Sequence, residues 1–164
     1  MTQTLTVHAV RLAEGDPFPR LSAPLVGGGV LELPVAPQGY WSVVLLYRGD
    51  WCPFCRSQLT EFQKLAEQFA AQDIQLFALS ADAVEAAAQT VTRHGLTFPV
   101  AYGLAPREIA QTHGAYLSAD AAYLQATGFV LRPDGTVALA LYSSGAVGRL
   151  NAADTLGFVQ YLRR

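Results

Sequence analysis

Nearly continuous apolar runs in this chain are separated by segments whose apolar residues recur every three or four positions. Residues 41–47 and 74–80 are such runs, which is typical of strands covered on both faces of a sheet. Residues 15–40 are instead rich in Gly and Pro and predict turns around short strands, with residues 30–33 as an edge strand. The pattern therefore predicts a turn-rich beginning followed by a buried sheet.

Helical spacing predicts two crossover helices within the first hundred residues. The first begins at Pro53, and its apolar residues form a single stripe. The stripe consists of Leu59, Phe62, Leu65, Ala66 and Phe69. The second opens at Asp82, which has capping-box spacing to Glu85, and ends at about Gly95.

The last third of the chain predicts helix, hairpin and helix. A short helix starts at Pro106, and residues 127–131 and 136–142 flank a Pro-Asp-Gly turn as in a β-hairpin. A final helix begins at Asn151, and its predicted apolar face comprises Leu156, Val159, Tyr161 and Leu162. The order of elements predicts an α/β fold, with crossover helices first and an antiparallel hairpin afterwards, in one domain spanning residues 1–164.

Composition narrows the possible functions. The chain has 164 residues, 51% of them hydrophobic, and a chain of this size buries about 70% of its unfolded surface without needing a covalent staple. A net charge of −2 and the lack of a basic cluster argue against a surface that binds nucleic acid or an anionic membrane. No apolar run approaches the ~18 residues of a membrane span, and no secretory signal is visible, so we expect a cytoplasmic protein.

Both cysteines lie three residues apart, as Cys52 and Cys55. Chance placement would give that spacing in roughly 1% of arrangements. A reducing cytosol suits a redox-active thiol pair better than a structural disulfide. Zinc is the competing interpretation, but a closed zinc site needs four ligands and the three histidines are scattered, so we predict no metal and no cofactor.

The position of the pair at a helix start favours thiol chemistry. Cys52 is the predicted N-cap and Pro53 the first helical residue, so a Cys52 sulfur would face free backbone N–H groups. The positive end of the helix dipole favours a thiolate and lowers the thiol pKa from its usual value of about 8.5. Trp51 and Phe54 would border the sulfurs with apolar surface on which a substrate or partner protein docks.

Residues 47–55, Tyr-Arg-Gly-Asp-Trp-Cys-Pro-Phe-Cys, resemble the peroxiredoxin-like branch of the thioredoxin-fold superfamily, the alkyl hydroperoxide reductase/thiol-specific antioxidant group. Residues 14–19, 132–137 and 143–150 are similar to other parts of that group, so the likeness covers most of the chain. The resemblance implies a thioredoxin fold with an N-terminal extension and a central mixed sheet flanked by helices.

Two family patterns overlap on the two cysteines. The peroxiredoxin pattern P-x-x-x-T-x-x-C places the peroxide-attacking cysteine at Cys55 and its threonine at Cys52. The glutaredoxin pattern C-x-x-C, with Pro53-Phe54 in between, makes Cys52 the nucleophile and Cys55 the resolving residue. Under the first pattern Cys55 is peroxidatic, and the sequence leaves the two assignments open.

The chain also departs from the resemblance. Arg48 stands where peroxiredoxins have the proline of their motif, and residues 124–128 contain neither the peroxiredoxin arginine nor the thioredoxin cis-proline. Arg48 would replace part of the missing charge if it faces the sulfurs; the alternative is that it pairs with Asp50 or with solvent. Arg149 follows Gly148 in a predicted loop and has two interpretations: a structural salt-bridge residue, which we favour, or a residue that lines the site from the C-terminal side.

The resemblance implies a thiol-dependent antioxidant oxidoreductase that reduces peroxides through a Cys52/Cys55 dithiol–disulfide cycle. A thioredoxin-like protein or glutathione would regenerate it, and a homodimer is possible. The alternative enzyme is a thioredoxin- or glutaredoxin-like thiol–disulfide exchange protein without significant peroxidase activity. A non-enzymatic redox sensor is the remaining alternative, and no sequence feature favours it.

Overall fold

The computed structural model describes residues 10–35 and 39–164. Its strands are β1 Leu21–Pro24, β2 Val30–Leu33, β3 Trp41–Leu46, β4 Ile74–Leu79, β5 Val100–Ala101, β6 Thr127–Leu131 and β7 Val137–Tyr142. Its helices are α1 Pro53–Lys64, α2 Ala66–Ala71, α3 Val84–His94, α4 Pro106–His113 and α5 Ala152–Leu162. Within the described residues, no helix is long and apolar enough to cross a membrane.

A five-stranded mixed sheet in the order β5-β4-β3-β6-β7 forms the centre of the molecule. β3, β4 and β5 are parallel, whereas β6 runs antiparallel to β3 and β7 antiparallel to β6. The predicted succession of crossover helices and a late hairpin is therefore confirmed. β1 and β2 pair as a separate antiparallel sheet before β3, which confirms the predicted N-terminal extension.

Both faces of β3 are buried, as the continuous apolar run predicts. Side chains of a strand point alternately to opposite faces. Val43 and Leu45 belong to the hydrophobic cluster that contains residues of α1 and α5, while Val44 and Leu46 belong to the cluster that contains residues of β1, β2 and α4. Each face of the sheet thus has its own core.

The stripe predicted as one helix is divided between α1 and α2. At Leu65 the backbone leaves helical geometry, with φ −102° and ψ 8°, and its N–H donates to the carbonyl of Phe62, three residues back. Phe62 and Phe69 nevertheless stack across the break, with ring centroids 5.6 Å apart. The predicted apolar face therefore continues across the break, since both helices contribute to the same hydrophobic cluster.

The predicted capping box at Asp82 is wrong. α3 begins at Val84, its N-cap is Ala83, and no side chain caps it. The Asp82 carboxylate is occupied elsewhere, since its Oδ2 accepts the backbone N–H of Asp50 at 2.8 Å. That bond ties the loop after β3 to the loop after β4.

The final helix agrees with its predicted start but not with its whole predicted face. The Asn151 side chain caps α5 by accepting the N–H of Asp154. Leu156 and Val159 are buried, but Tyr161 is 65% exposed and lies outside the core. Tyr161 lies on the solvent side of the last turn of α5, so an apolar residue at this position is not part of the core.

Gly114 and Gly95 end α4 and α3 in the left-handed region, with φ +80° and +59°. A Cβ at Gly95 would meet no atom within 4 Å, whereas one at Gly114 would lie 2.8 Å from the Arg11 Cα and the Val10 carbonyl oxygen.

We expect Gly95→Ala to lower the free energy of unfolding by roughly 1 kcal/mol, the cost of the left-handed backbone. Gly114→Ala should cost at least about 1 kcal/mol more, because backbone atoms must move. Urea unfolding measures both, and equal losses would contradict the described packing of residues 10–11.

Candidate active site

Cys52 and Cys55 lie at the start of α1, just beyond the carboxyl end of β3. Cys52 is the N-cap with extended backbone geometry, Pro53 is the first helical residue, and the Cys52 Sγ accepts the backbone N–H of Cys55 at 3.3 Å. These local predictions are confirmed. The exposed fractions of Cys52 and Cys55 are 0% and 1%, and both are free thiols. The two sulfurs therefore belong to one buried site.

Arg48 faces the sulfurs rather than Asp50. Its Nη1 lies 3.6 Å from the Cys52 Sγ, and its backbone N–H donates to the Cys55 Sγ at 3.2 Å. Two neutral groups fix the guanidinium: Nε donates to Gln125 Oε1 at 3.0 Å, and Nη2 to Tyr123 Oη at 3.1 Å. The alternative pairing of Arg48 with Asp50 is wrong.

Asp50 is engaged by helix α3. Its Oδ1 accepts hydrogen bonds from the Thr90 hydroxyl at 2.8 Å and from Arg93 Nη1 at 3.0 Å. The carboxylate is largely buried and already paired with a cation. It therefore anchors the turn before Cys52 to α3.

Arg149 also belongs to the site, although the sequence favoured a structural role for it over a site-lining one. Its Nη2 lies 3.1 Å from the Cys55 Sγ and 3.5 Å from the Cys52 Sγ, so one nitrogen serves both sulfurs. The interpretation of Arg149 as structural is wrong. The available signal was its place in residues 143–150, a segment similar to the family, in a chain that lacks the usual arginine at 124–128.

Packing on the sheet and on α1 holds Arg149 in place. Its Nη1 donates to Gln58 Oε1 and its Nε to the Ala146 carbonyl, both at 3.0 Å. Gln58 is buried in α1, and its amide group also donates to the Leu150 carbonyl at 3.1 Å. A Cβ on Gly128 would come within 2.5 Å of the Leu150 side chain, so the glycine of β6 makes room for this loop.

The two thiols have opposite pKa shifts. Burial alone would raise the pKa of Cys52, but hydrogen bonds from the Cys55 thiol, the Cys55 N–H and Arg48, together with the charge of Arg149, lower it below its ordinary value. Burial raises the pKa of Cys55, and so does the hydrogen bond in which its thiol donates to Cys52. The arrangement favours a Cys52 thiolate beside a Cys55 thiol.

Two aromatic side chains next to the cysteines in sequence are half-exposed, where the sequence predicts apolar surface. Trp51 and Phe54 are 51% and 49% exposed. The Arg48 guanidinium carbon lies 4.9 Å from the Trp51 ring centroid and 5.2 Å from that of Tyr123. Phe54 and Arg149 line a cavity of about 300 Å³ between α1 and residues 147–152. A small molecule in this cavity would lie beside the guanidinium that contacts both sulfurs.

Metal-ligating residues do not gather around this pair. In the ranges 10–35 and 39–164, no group of three or more His, Cys, Asp or Glu side chains is placed to hold a metal ion. The described site thus consists of two thiols, two guanidinium groups and their neutral hydrogen-bond partners.

Known proteins share this fold. The chain superposes on Mycobacterium tuberculosis AhpC with a TM-score of 0.79 and 24% identity, covering 94% of this chain and all of that one. It superposes on a peroxiredoxin-like protein from Aquifex aeolicus with a TM-score of 0.80 and 16% identity, covering 94% of this chain and 90% of that one. The predicted thioredoxin fold with a mixed sheet is confirmed.

Sequence comparison gives the family. A peroxiredoxin from Treponema denticola is 29% identical over 141 residues, which cover 82% of this chain and 66% of that protein, just under two thirds of its length. Alkyl hydroperoxide reductase C from Mycobacterium tuberculosis is 28% identical over 156 residues, covering 84% of this chain and 78% of that protein. The sequence profile of the AhpC/TSA family matches residues 15–140. Because this match spans most of the sequence, the chain belongs to the AhpC/TSA family.

Proposed function

We propose that this protein is a thiol-dependent peroxidase in which Cys52 and Cys55 cycle between dithiol and disulfide. The observation that carries the proposal is the arrangement of two guanidinium groups and a helix N-terminus around the Cys52 sulfur. Such surroundings stabilise a thiolate, which is the nucleophilic form of cysteine. The relatives named as a peroxiredoxin and an alkyl hydroperoxide reductase support peroxide as the substrate.

The charge distribution favours Cys52 as the attacking residue. Its pKa is lowered whereas that of Cys55 is raised, although both side chains are buried. This assignment follows the C-x-x-C pattern and reverses the one implied by the P-x-x-x-T-x-x-C pattern, in which Cys55 attacks. We therefore propose peroxide reduction in which Cys52 is the peroxidatic cysteine and Cys55 the resolving one.

The cycle has three steps. The Cys52 thiolate attacks one peroxide oxygen, the O–O bond breaks, and the leaving oxygen takes a proton, so Cys52 becomes a sulfenic acid. Because Arg149 Nη2 contacts the Cys52 sulfur, it can donate a hydrogen bond to the leaving oxygen as negative charge develops on it. The Cys55 sulfur then attacks Cys52, water leaves, and a disulfide forms. An external thiol reduces this disulfide and restores both cysteines.

The partners and cellular setting follow from this cycle. A peroxide is the oxidising substrate, and a thioredoxin-like protein or glutathione supplies the electrons. A cytoplasmic location suits this reductant supply, and a homodimer remains a prediction. Size-exclusion chromatography of the reduced and oxidised forms measures the oligomeric state.

Serine substitutions separate the roles of the two cysteines. In the absence of added thiol, Cys55→Ser should react with one equivalent of hydrogen peroxide and retain a sulfenic acid on Cys52, since no resolving sulfur is present. Cys52→Ser should consume peroxide at least roughly tenfold more slowly, because the remaining thiol is ionised less. Dimedone labelling and mass spectrometry identify the modified residue. Wild-type-rate sulfenic acid formation on Cys55 in Cys52→Ser would reverse the roles, and insulin reduction without peroxide consumption would favour the exchange enzyme.

Removing the Arg149 charge should weaken the thiolate. In Arg149→Gln the Cys52 pKa is expected to rise, so its oxidation by peroxide at neutral pH should slow by roughly tenfold and recover at higher pH. Arg107→Gln, the same chemical change at an exposed position in α4, is the control and should leave the pH profile unchanged. Stopped-flow oxidation across a pH series measures the effect. A profile for Arg149→Gln that matches the wild type would show that Arg149 does not support the charge on Cys52.

A further inference from the structure

Two cations of the active site have no carboxylate partner among residues 10–35 and 39–164. Each of the four ion pairs in the described residues involves other cations; they are Arg20–Glu32, Lys64–Glu61, Arg93–Asp50 and Arg132–Glu14. Residues 1–9 and 36–38, which lie outside the described part, contain no Asp or Glu. Arg48 and Arg149 are therefore held by neutral groups alone, apart from the sulfurs themselves.

The neutral groups that hold these arginines give a well-defined orientation. Arg48 donates to Gln125 and Tyr123, and Arg149 donates to Gln58 and the Ala146 carbonyl. None of these oxygen acceptors carries a formal charge. Within the part of the chain that the structure describes, the only negative charge at hydrogen-bond distance from either guanidinium is thus a cysteine thiolate.

Oxidation of the cysteines removes that negative charge. With Cys52 as a thiolate, the two guanidinium groups and the sulfur pair carry a net charge of about +1. A disulfide is neutral, so the same groups then carry a net charge of about +2. Because charges interact more strongly at a partly buried site than in water, the oxidised site attracts an anion more strongly than the reduced one.

We propose that the oxidised site recognises a carboxylate, and that its preferred electron donor is a small thiol carrying one. This inference rests on the proposed function and identifies the reductant class for the same site. Guanidinium groups match carboxylates geometrically and form charge-assisted hydrogen bonds with them. The shared chemistry, a thiol with a nearby carboxylate, includes thiol tripeptides and mercapto acids.

A cavity lined by Arg149, though by neither cysteine, has room for the carboxylate end of such a donor. Its volume of about 300 Å³ lies at the lower end of the range for small-molecule sites. Exposed Phe54 and Val147 supply apolar contacts at its edge. Its acidic lining residue, Glu61, is paired with Lys64 at 3.1 Å, which offsets repulsion of an incoming anion.

The reducing steps use the contacts already present at the sulfurs. The donor thiolate attacks the Cys52 sulfur, the S–S bond breaks, and Cys55 leaves as a thiolate. Arg149 Nη2 at 3.1 Å and the Arg48 backbone N–H at 3.2 Å stabilise the departing Cys55 sulfur, which then takes a proton from water. A second donor thiolate attacks the donor sulfur of the mixed disulfide and releases the Cys52 thiolate. Two donor thiols thus become one donor disulfide.

A charge series of small thiols tests the inference. The oxidised full-length protein is reduced by mercaptopropionate, mercaptoethanol or cysteamine, which are anionic, neutral and cationic, and stopped-flow tryptophan fluorescence gives each rate. Rates are expressed per thiolate and divided by the rate of the same thiol with hydroxyethyl disulfide, which removes differences in intrinsic reactivity. We expect the anionic thiol to exceed the neutral one by on the order of tenfold at low ionic strength, and the cationic thiol to be slowest. Added salt should reduce the differences between the normalised rates of the three thiols.

The arginine variants separate charge recognition from general damage. Arg48→Gln and Arg149→Gln should each lower the ratio of the anionic to the neutral rate, whatever happens to the absolute rates. Arg107→Gln should keep the wild-type ratio. A normalised series without charge order, or a ratio unaffected by both site variants, overturns the inference.

A separate experiment tests the proposed peroxidase function. Peroxide turnover with dithiothreitol, a neutral dithiol, tests the peroxidase activity without any carboxylate. Turnover with dithiothreitol together with a flat charge series would leave the peroxidase intact and remove the carboxylate site. A charge-ordered series without peroxide turnover would support the carboxylate site and contradict the peroxidase function.

Discussion

The proposed chemistry depends on two guanidinium groups that face two buried sulfurs, with no carboxylate of the described residues between them. A carboxylate at hydrogen-bond distance would neutralise an arginine and reduce its effect on a thiol. Here Asp50, the acid closest in sequence to Cys52, is bound by Arg93 and Thr90 instead. Both active-site arginines therefore remain available to the sulfurs. The unequal pKa values of the two thiols follow from this arrangement together with the N-cap geometry of Cys52.

The fold brings these groups together from distant parts of the chain. Arg48 and the cysteines come from the junction of β3 and α1, Gln125 from the segment before β6, and Arg149 from the loop before α5. The antiparallel pairing of β3 and β6 places the second of these segments beside the first. Leu150 packs on Gly128 of β6 and thereby fixes the third. The site is thus assembled beyond the carboxyl end of β3, next to the start of β6, in the middle of the sheet.

Local features of the site could be predicted because they depend on neighbouring residues. The N-cap role of Cys52, the first helical position of Pro53 and the exposed border residues Trp51 and Phe54 all follow from a short segment. The buried strands and the late hairpin could be predicted from hydrophobic pattern and turn residues in the same way.

Arg149 could not be placed from the sequence because its position depends on tertiary contacts. It lies 94 residues from Cys55 and is oriented by Gln58 and by packing on Gly128. The wrong cap at Asp82 has a similar cause, since a long-range bond to the Asp50 N–H takes the carboxylate away from α3. Where a polar side chain has both a local and a distant partner available, sequence spacing alone does not decide between them.

Thiolate absorbance near 240 nm, recorded during a pH titration of the reduced protein, shows which of the two cysteines ionises at the lower pH. We expect a transition below the ordinary thiol pKa of about 8.5 that belongs to Cys52, so it should persist in Cys55→Ser and disappear in Cys52→Ser. A low-pH transition that instead persists in Cys52→Ser and disappears in Cys55→Ser would contradict this expectation. So would two thiols that both ionise only at or above the ordinary value.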